Sequence, residues 1–164
     1  MRRFPSFVAV GSIALAATLL LSLPSAVHAH ETRTITDGKY VIVVGFMNEP
    51  VFAGDKSGLE FWVSEVSTAT PTAAGEAEGI PVTGLEDTLQ AEVIFADQTM
   101  ELPLEATWDE PGGYGSVFFP VEPGDYTFRI YGTVGDVEID ESFTSGPETF
   151  SMVEDPAPLR FPQS

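Results

Sequence analysis

The side chain with the most pointed chemistry is His30. Residues 1–29 read as a leader cut after Ala29, which makes His30 the first residue of the mature chain. A terminal histidine offers Cu(II) two nitrogen ligands, its free amine and its imidazole. A second imidazole would be the natural partner for such a site. The chain has two histidines, and the other, His28, departs with the leader. Other ligand candidates are Met47, Met100, Met152 and the carboxylates of Glu31 and Asp37, and Met47 is taken with His30 as the candidate copper pair. In the alternative, His30 simply follows a cleavage site. The methionines, none of them in an M-x-M or H-x-M grouping, then fill core or surface positions.

Other constellations are weaker. Asp136, Glu138, Asp140 and Glu141 form an acidic run, but strand alternation spreads carboxylates into a row, whereas calcium needs a cage of six to eight oxygens. An acidic edge that discourages sheet-to-sheet pairing fits better. Serine-type hydrolysis lacks a histidine base, since none remains in the body of the mature chain, and no G-x-S-x-G elbow occurs; with 25 acids, no glycosidase pair of carboxylates can be singled out. No phosphate-cradling glycine loop is present. No catalytic residue is therefore assigned, and no cofactor beyond the copper alternative. Trp62, Trp108, Tyr114 and Phe119 could line an apolar or sugar-binding surface. Trp62, inside a strand, is expected in the core. Trp108, in a turn with Pro111 and Gly112, is expected to be exposed, and it is the better contact together with Tyr114.

These residues sit on a chain whose ends and charge are informative. Arg2 and Arg3 precede an apolar run from Phe7 to Leu23, Pro24 breaks it, and Val27 and Ala29 are the small residues that a signal peptidase reads. A retained signal anchor is the alternative, since the run approaches the length of a spanning helix. No second apolar run exists, so no membrane span is expected in the mature chain. The full chain carries 7 Lys+Arg against 25 Asp+Glu, and Arg2 and Arg3 belong to the leader. Such a surface repels phosphate backbones and anionic headgroups, which excludes nucleic acid as an expected partner. The sequence contains no cysteine, so packing alone must stabilise the fold, and thiol chemistry is excluded.

After the leader, 30–38 reads as a flexible polar arm, 39–154 as one β-sandwich domain, and 155–164 as a loose Pro-rich tail. Strands are expected at 39–47, 59–66, 89–95, 99–104, 114–119, 125–131 and 136–143, with a short edge strand at 149–153. Residues 67–81 are small, polar and low in complexity, and read as a long loop. In 125–131, Tyr126, Phe128 and Ile130 alternate with Thr127 and Arg129. Seven to eight short strands without helical periodicity indicate an all-β, antiparallel, immunoglobulin-like sandwich.

Glu122-Pro-Gly-Asp-Tyr126 followed by Thr-Phe128 resembles the tyrosine corner of immunoglobulin-like domains, with Gly124, Tyr126 and Phe128 as its structural residues. Phe128 would stand where the second cysteine stands in antibody domains. The block from Gly113-Tyr114 to Phe128 resembles bacterial extracytoplasmic immunoglobulin-like modules of the YtkA-like kind, over roughly residues 80–145. That resemblance implies a fold and an extracytoplasmic location, periplasmic or secreted, and some of those relatives are linked with metal handling or oxidase assembly. The functional expectation is an exported, non-enzymatic binding or accessory module of the cell envelope, acting on an envelope protein or small ligand. The alternative is a periplasmic copper-binding protein.

Overall fold

The computed structural model describes residues 29–66 and 79–163. The leader assignment and most of the 67–81 loop fall outside that range. Twelve strands appear: β1 (His30–Ile35), β2 (Tyr40–Phe46), β3 (Val51–Phe52), β4 (Ser57–Glu65), β5 (Ile80–Pro81), β6 (Leu89–Phe95), β7 (Gln98–Leu102), β8 (Glu105–Ala106), β9 (Gly113–Phe118), β10 (Thr127–Val134), β11 (Val137–Thr144) and β12 (Val153–Glu154). Eight of these have five or more residues, and the other four are two-residue pairings.

One sheet runs β1-β2-β4-β9-β8, with β5 added on β4, and the other runs β11-β10-β6-β7. Every pairing within these two sheets is antiparallel. With β2, β4, β9 and β8 as strands A, B, E and D, and β6, β7, β10 and β11 as C, C′, F and G, this is the immunoglobulin-type strand order. A small parallel pair, β3 with β12, closes one end.

Alternation explains the layers. Tyr40, Ile42, Val44 and Phe46 of β2 face Leu89, Ala91 and Val93 of β6 and Phe128 and Ile130 of β10 across a buried core. Phe46 is the hub at one end. Its ring packs edge-on to Phe128 (5.1 Å), Phe150 (5.7 Å) and Tyr126 (6.2 Å). Edge-to-face pairs of this kind add about 0.5–1.5 kcal/mol each beyond their buried area.

Three boundaries differ from expectation. Residues 30–35 are not a flexible arm: β1 pairs with β2 over its full length, from His30 opposite Gly45 to Ile35 opposite Tyr40. Main-chain hydrogen bonds make that ladder, and Arg33 stacks its guanidinium on Phe143 at 4.1 Å where an apolar residue would otherwise cover the sandwich edge. Strand β10 does not close at Gly132. It continues to Val134, because a glycine at φ 129° lets the backbone pass beside the Thr88 carbonyl, which a Cβ would strike. At the far end, the expected edge strand 149–153 is chiefly a plug. Phe150 and Val153 are fully buried, and only Val153–Glu154 pairs, with β3.

Candidate functional site

The turn into β10 is a tyrosine corner. The Tyr126 hydroxyl donates to the Glu122 carbonyl at 3.0 Å, and burial raises the affinity of that oxygen for its proton. Gly124 takes φ 136°, and a Cβ there would stand 3.2 Å from the Phe95 ring. The backbone of Gly124 bridges to Val153, which ties the corner to the C-terminal segment. Phe128, two residues further on, is fully buried between the sheets.

Beside this corner lies an aromatic-lined groove of about 180 Å³. Its floor is Val93, Phe95, Phe118 and Tyr126, and its rim includes Met100, Phe119, Val121 and Glu122. Three of the rim side chains are apolar yet exposed: Met100 48%, Phe119 59% and Val121 69%. The fold produces this directly. Strand β9 buries Phe118, so the next side chain, Phe119, must leave the core. Pro120 then turns the chain, and Val121 emerges on the same rim. On the opposite side, β7 is the edge of its sheet: among the described residues it pairs with β6 alone, which leaves half of its backbone groups without a strand partner there. The groove thus runs between an apolar rim and an open strand edge.

The residues singled out in the sequence fall in different places. Tyr114 is buried beneath the hollow that the 107–113 loop borders. It is 1% exposed, and its hydroxyl is consumed by donation to the Val82 carbonyl (2.6 Å) and acceptance from the Leu85 amide (3.2 Å). Burial raises its pKa in consequence. Trp62 is not in the core. It is half-buried on the outer face of the first sheet, with its indole N–H donated to Glu110 at 3.0 Å and its ring edge-on to His30 at 5.3 Å. Trp108 is 89% exposed, as expected, in the loop of Thr107, Asp109 and Glu110, which line a shallow hollow with Thr83 and Glu86.

His30 and Met47 share the outer face of the first sheet but do not converge. The His30 ring lies over Gly45, where a Cβ would stand 2.6 Å from its Cδ2. The Met47 methyl lies over Gly115, where a Cβ would stand 2.7 Å away. Gly45 and Gly115 flank Glu60 in one cross-strand row, so the two side chains sit about two strand spacings, roughly 10 Å, apart. His30 Nε2 is buried without a hydrogen-bond partner. Glu60, between them, has its pKa raised first by burial and then by the Glu110 charge.

The acidic run is not a row of unpaired charges. Arg129 binds Asp140 through both carboxylate oxygens at 2.7 Å and reaches Glu92 at 3.0 Å. Its hydrogen bonds hold the Asp140 carboxyl below the ordinary range. Arg33 pairs with Glu31 (2.6 Å) and Glu141 (2.9 Å). The groove rim itself was only partly legible. Phe119 and Met100 stood out for their chemistry, as an aromatic and as a thioether, whereas Val121 gave no signal until the corner placed it beside them.

No family model matches the chain, and no curated protein matches it. Among solved structures, it is similar to a DUF4426 family protein from Pseudomonas aeruginosa PAO1, with a TM-score of 0.51 and 12% sequence identity over 77% of this chain and 98% of that one. At that identity the likeness concerns the fold alone.

Proposed function

We propose that this chain is an exported, non-enzymatic binding module of the cell envelope, and that its recognition surface is the groove between β7 and the β9–β10 connection. The observation that carries this reading is the exposure of Met100, Phe119 and Val121 together around one apolar concavity beside an unpaired strand edge. Exposed apolar groups gathered around a concavity mark an interaction site, and an open edge can accept an extended peptide by strand addition. Main-chain hydrogen bonds to β7 would supply affinity, and the groove would take one or two apolar side chains. The leader-like N-terminus and the resemblance to YtkA-like modules support the export half. The perturbed groups support the non-enzymatic half: Tyr114 and Tyr126 face the interior and hold backbone carbonyls, whereas Glu60 stands on the opposite, outer face of its sheet.

The test is selection of linear peptides from a random display library against the purified exported protein. Peptides with apolar residues two apart are expected, matching strand spacing. Phe119→Ser and Val121→Ser should each weaken them at least tenfold without lowering the melting temperature, because both side chains are exposed. Trp108→Ala should leave binding unchanged. Loss on Trp108→Ala with retention on Phe119→Ser would move recognition to the 107–112 loop and overturn the groove reading.

A further inference from the structure

We infer that the groove is filled by the C-terminal segment of a second copy of this chain, with Leu159 and Phe161 seated in it and Arg160, on the other side of the extended segment, facing Glu101. This rests on the groove being the recognition surface. The segment has the matching chemistry. Leu159 is 70% and Phe161 95% exposed, two apolar side chains at strand spacing with nothing over them. Pro156, Pro158 and Pro162 surround them, so much of the ordering cost of an extended ligand is already met by the stiffness of the chain. Pro-rich segments dock on aromatic-lined grooves, and this groove presents Phe95, Phe118, Phe119 and Tyr126.

Charge points the same way. The ion pairs of the described residues engage Arg33 and Arg129, and Arg160 takes part in none of them. Glu101 stands exposed on the open β7 edge, on the strand face opposite the groove residue Met100. A guanidinium alternating with two apolar side chains is complementary to an apolar groove whose edge strand turns a carboxylate to its other face.

Position makes exchange feasible. The tail leaves the domain just after Val153, which is bridged to Gly124, and Gly124 lies against the groove residue Phe95. The tail therefore departs beside the groove without filling its own. The Asp155 carboxylate accepts from the Ala157 amide at 2.8 Å and opens a single turn over Ala157–Leu159, and Gln163 bonds back onto the Arg160 carbonyl. Leu159 and Phe161 stay exposed in that arrangement. Two copies about a twofold axis could each seat the other's tail, giving a closed, self-complementary contact. Because each copy is strongly acidic, the association should strengthen with salt that screens repulsion.

Sedimentation of the exported protein from 10 to 500 μM, in low and in 0.3 M salt, tests this alongside two variants. Wild type should be a dimer at the upper concentrations. Phe161→Ser, which damages the tail, and Phe119→Ser, which damages the groove, should each weaken association at least tenfold with unchanged melting temperatures. An equimolar mixture of the two variants should regain association, because each supplies the part that the other lacks. A wild type monomeric at 500 μM overturns the inference while leaving the groove open to the peptide selection. Weakening by Phe119→Ser but not by Phe161→Ser also overturns it, since the groove then takes something other than the tail. Weakening by Phe161→Ser alone would place the tail elsewhere and overturn it equally.

Discussion

Replacing Tyr126 with Phe removes one oxygen and leaves the ring in place. The ring is 5% exposed and stacks on Phe95 at 4.6 Å, so packing is conserved. What is lost is the 3.0 Å hydrogen bond to the Glu122 carbonyl, together with a weak 3.4 Å contact from the Glu122 amide. Glu122 is exposed, so water can take over its carbonyl and the full penalty of a buried unsatisfied acceptor does not apply. The net cost should therefore be that of one neutral hydrogen bond, about 1 kcal/mol. For a domain of this size that lowers the melting temperature by about 3–5 °C. Tyr126→Ala, which also empties the site among Phe46, Phe95 and Phe118, should cost about 3–5 kcal/mol. Urea unfolding at pH 7, with unchanged m-value as the check on two-state behaviour, measures both. A second signature is pH. The pKa of Tyr126 is raised by burial, so its stabilising effect is complete below the ordinary tyrosine range and is lost as pH climbs through the folded value. The Phe variant should lack that contribution. If Tyr126→Phe is as stable as wild type, the corner bond contributes nothing. If it costs more than about 3 kcal/mol, the hydroxyl anchors more than one contact.

Gly124→Ala should cost about 1–3 kcal/mol in urea unfolding, because φ 136° strains an L-residue and the new Cβ meets Phe95 at 3.2 Å. Glu60→Gln should match wild type near pH 4 and equal or exceed it in melting temperature at pH 7. Burial raises the Glu60 pKa, so that group's stability is present in acid and lost as pH rises through the folded value; a variant clearly less stable at pH 7 would reverse this sign. Arg129→Met should lower the melting temperature at neutral pH, with the difference fading as pH falls below the ordinary carboxylate range, since a carboxyl held low by Arg129 contributes above that range and loses the contribution as pH falls through its folded value. With 25 acids and 7 bases in the chain, added salt should raise the wild-type melting temperature, and Glu138→Gln, at a site with no ion pair among the described residues, should be neutral or stabilising at low salt. A melting temperature that does not respond to salt would refute the repulsion argument.

Local pattern carried much of this architecture. Residues of a strand alternate between faces, so Phe128 and Ile130 against Thr127 and Arg129 already assigned β10 its core side, and the short runs between Pro and Gly turns already implied a sandwich. The corner was legible because its glycine and tyrosine are demanded by one local turn. Strand β1 was not, because a ladder of main-chain hydrogen bonds leaves no side-chain mark, and HETRTI needs only Ile35 and the guanidinium of Arg33 to cover its part of the core. Tyr114 and Trp62 were assigned to the wrong environments for a related reason. In β9 the inward side reads Tyr114, Ser116, Phe118 and the outward side Gly113, Gly115, Val117, so polarity alone does not separate them. Only the pairing of β4 with β9, Phe61 opposite Tyr114 and Trp62 opposite Gly113, settles which ring is enclosed. The groove belongs wholly to tertiary structure. Met100 lies on β7 and Phe119 just past the end of β9, and their exposure becomes a shared surface only where the edge of one sheet passes the turn that leaves the other.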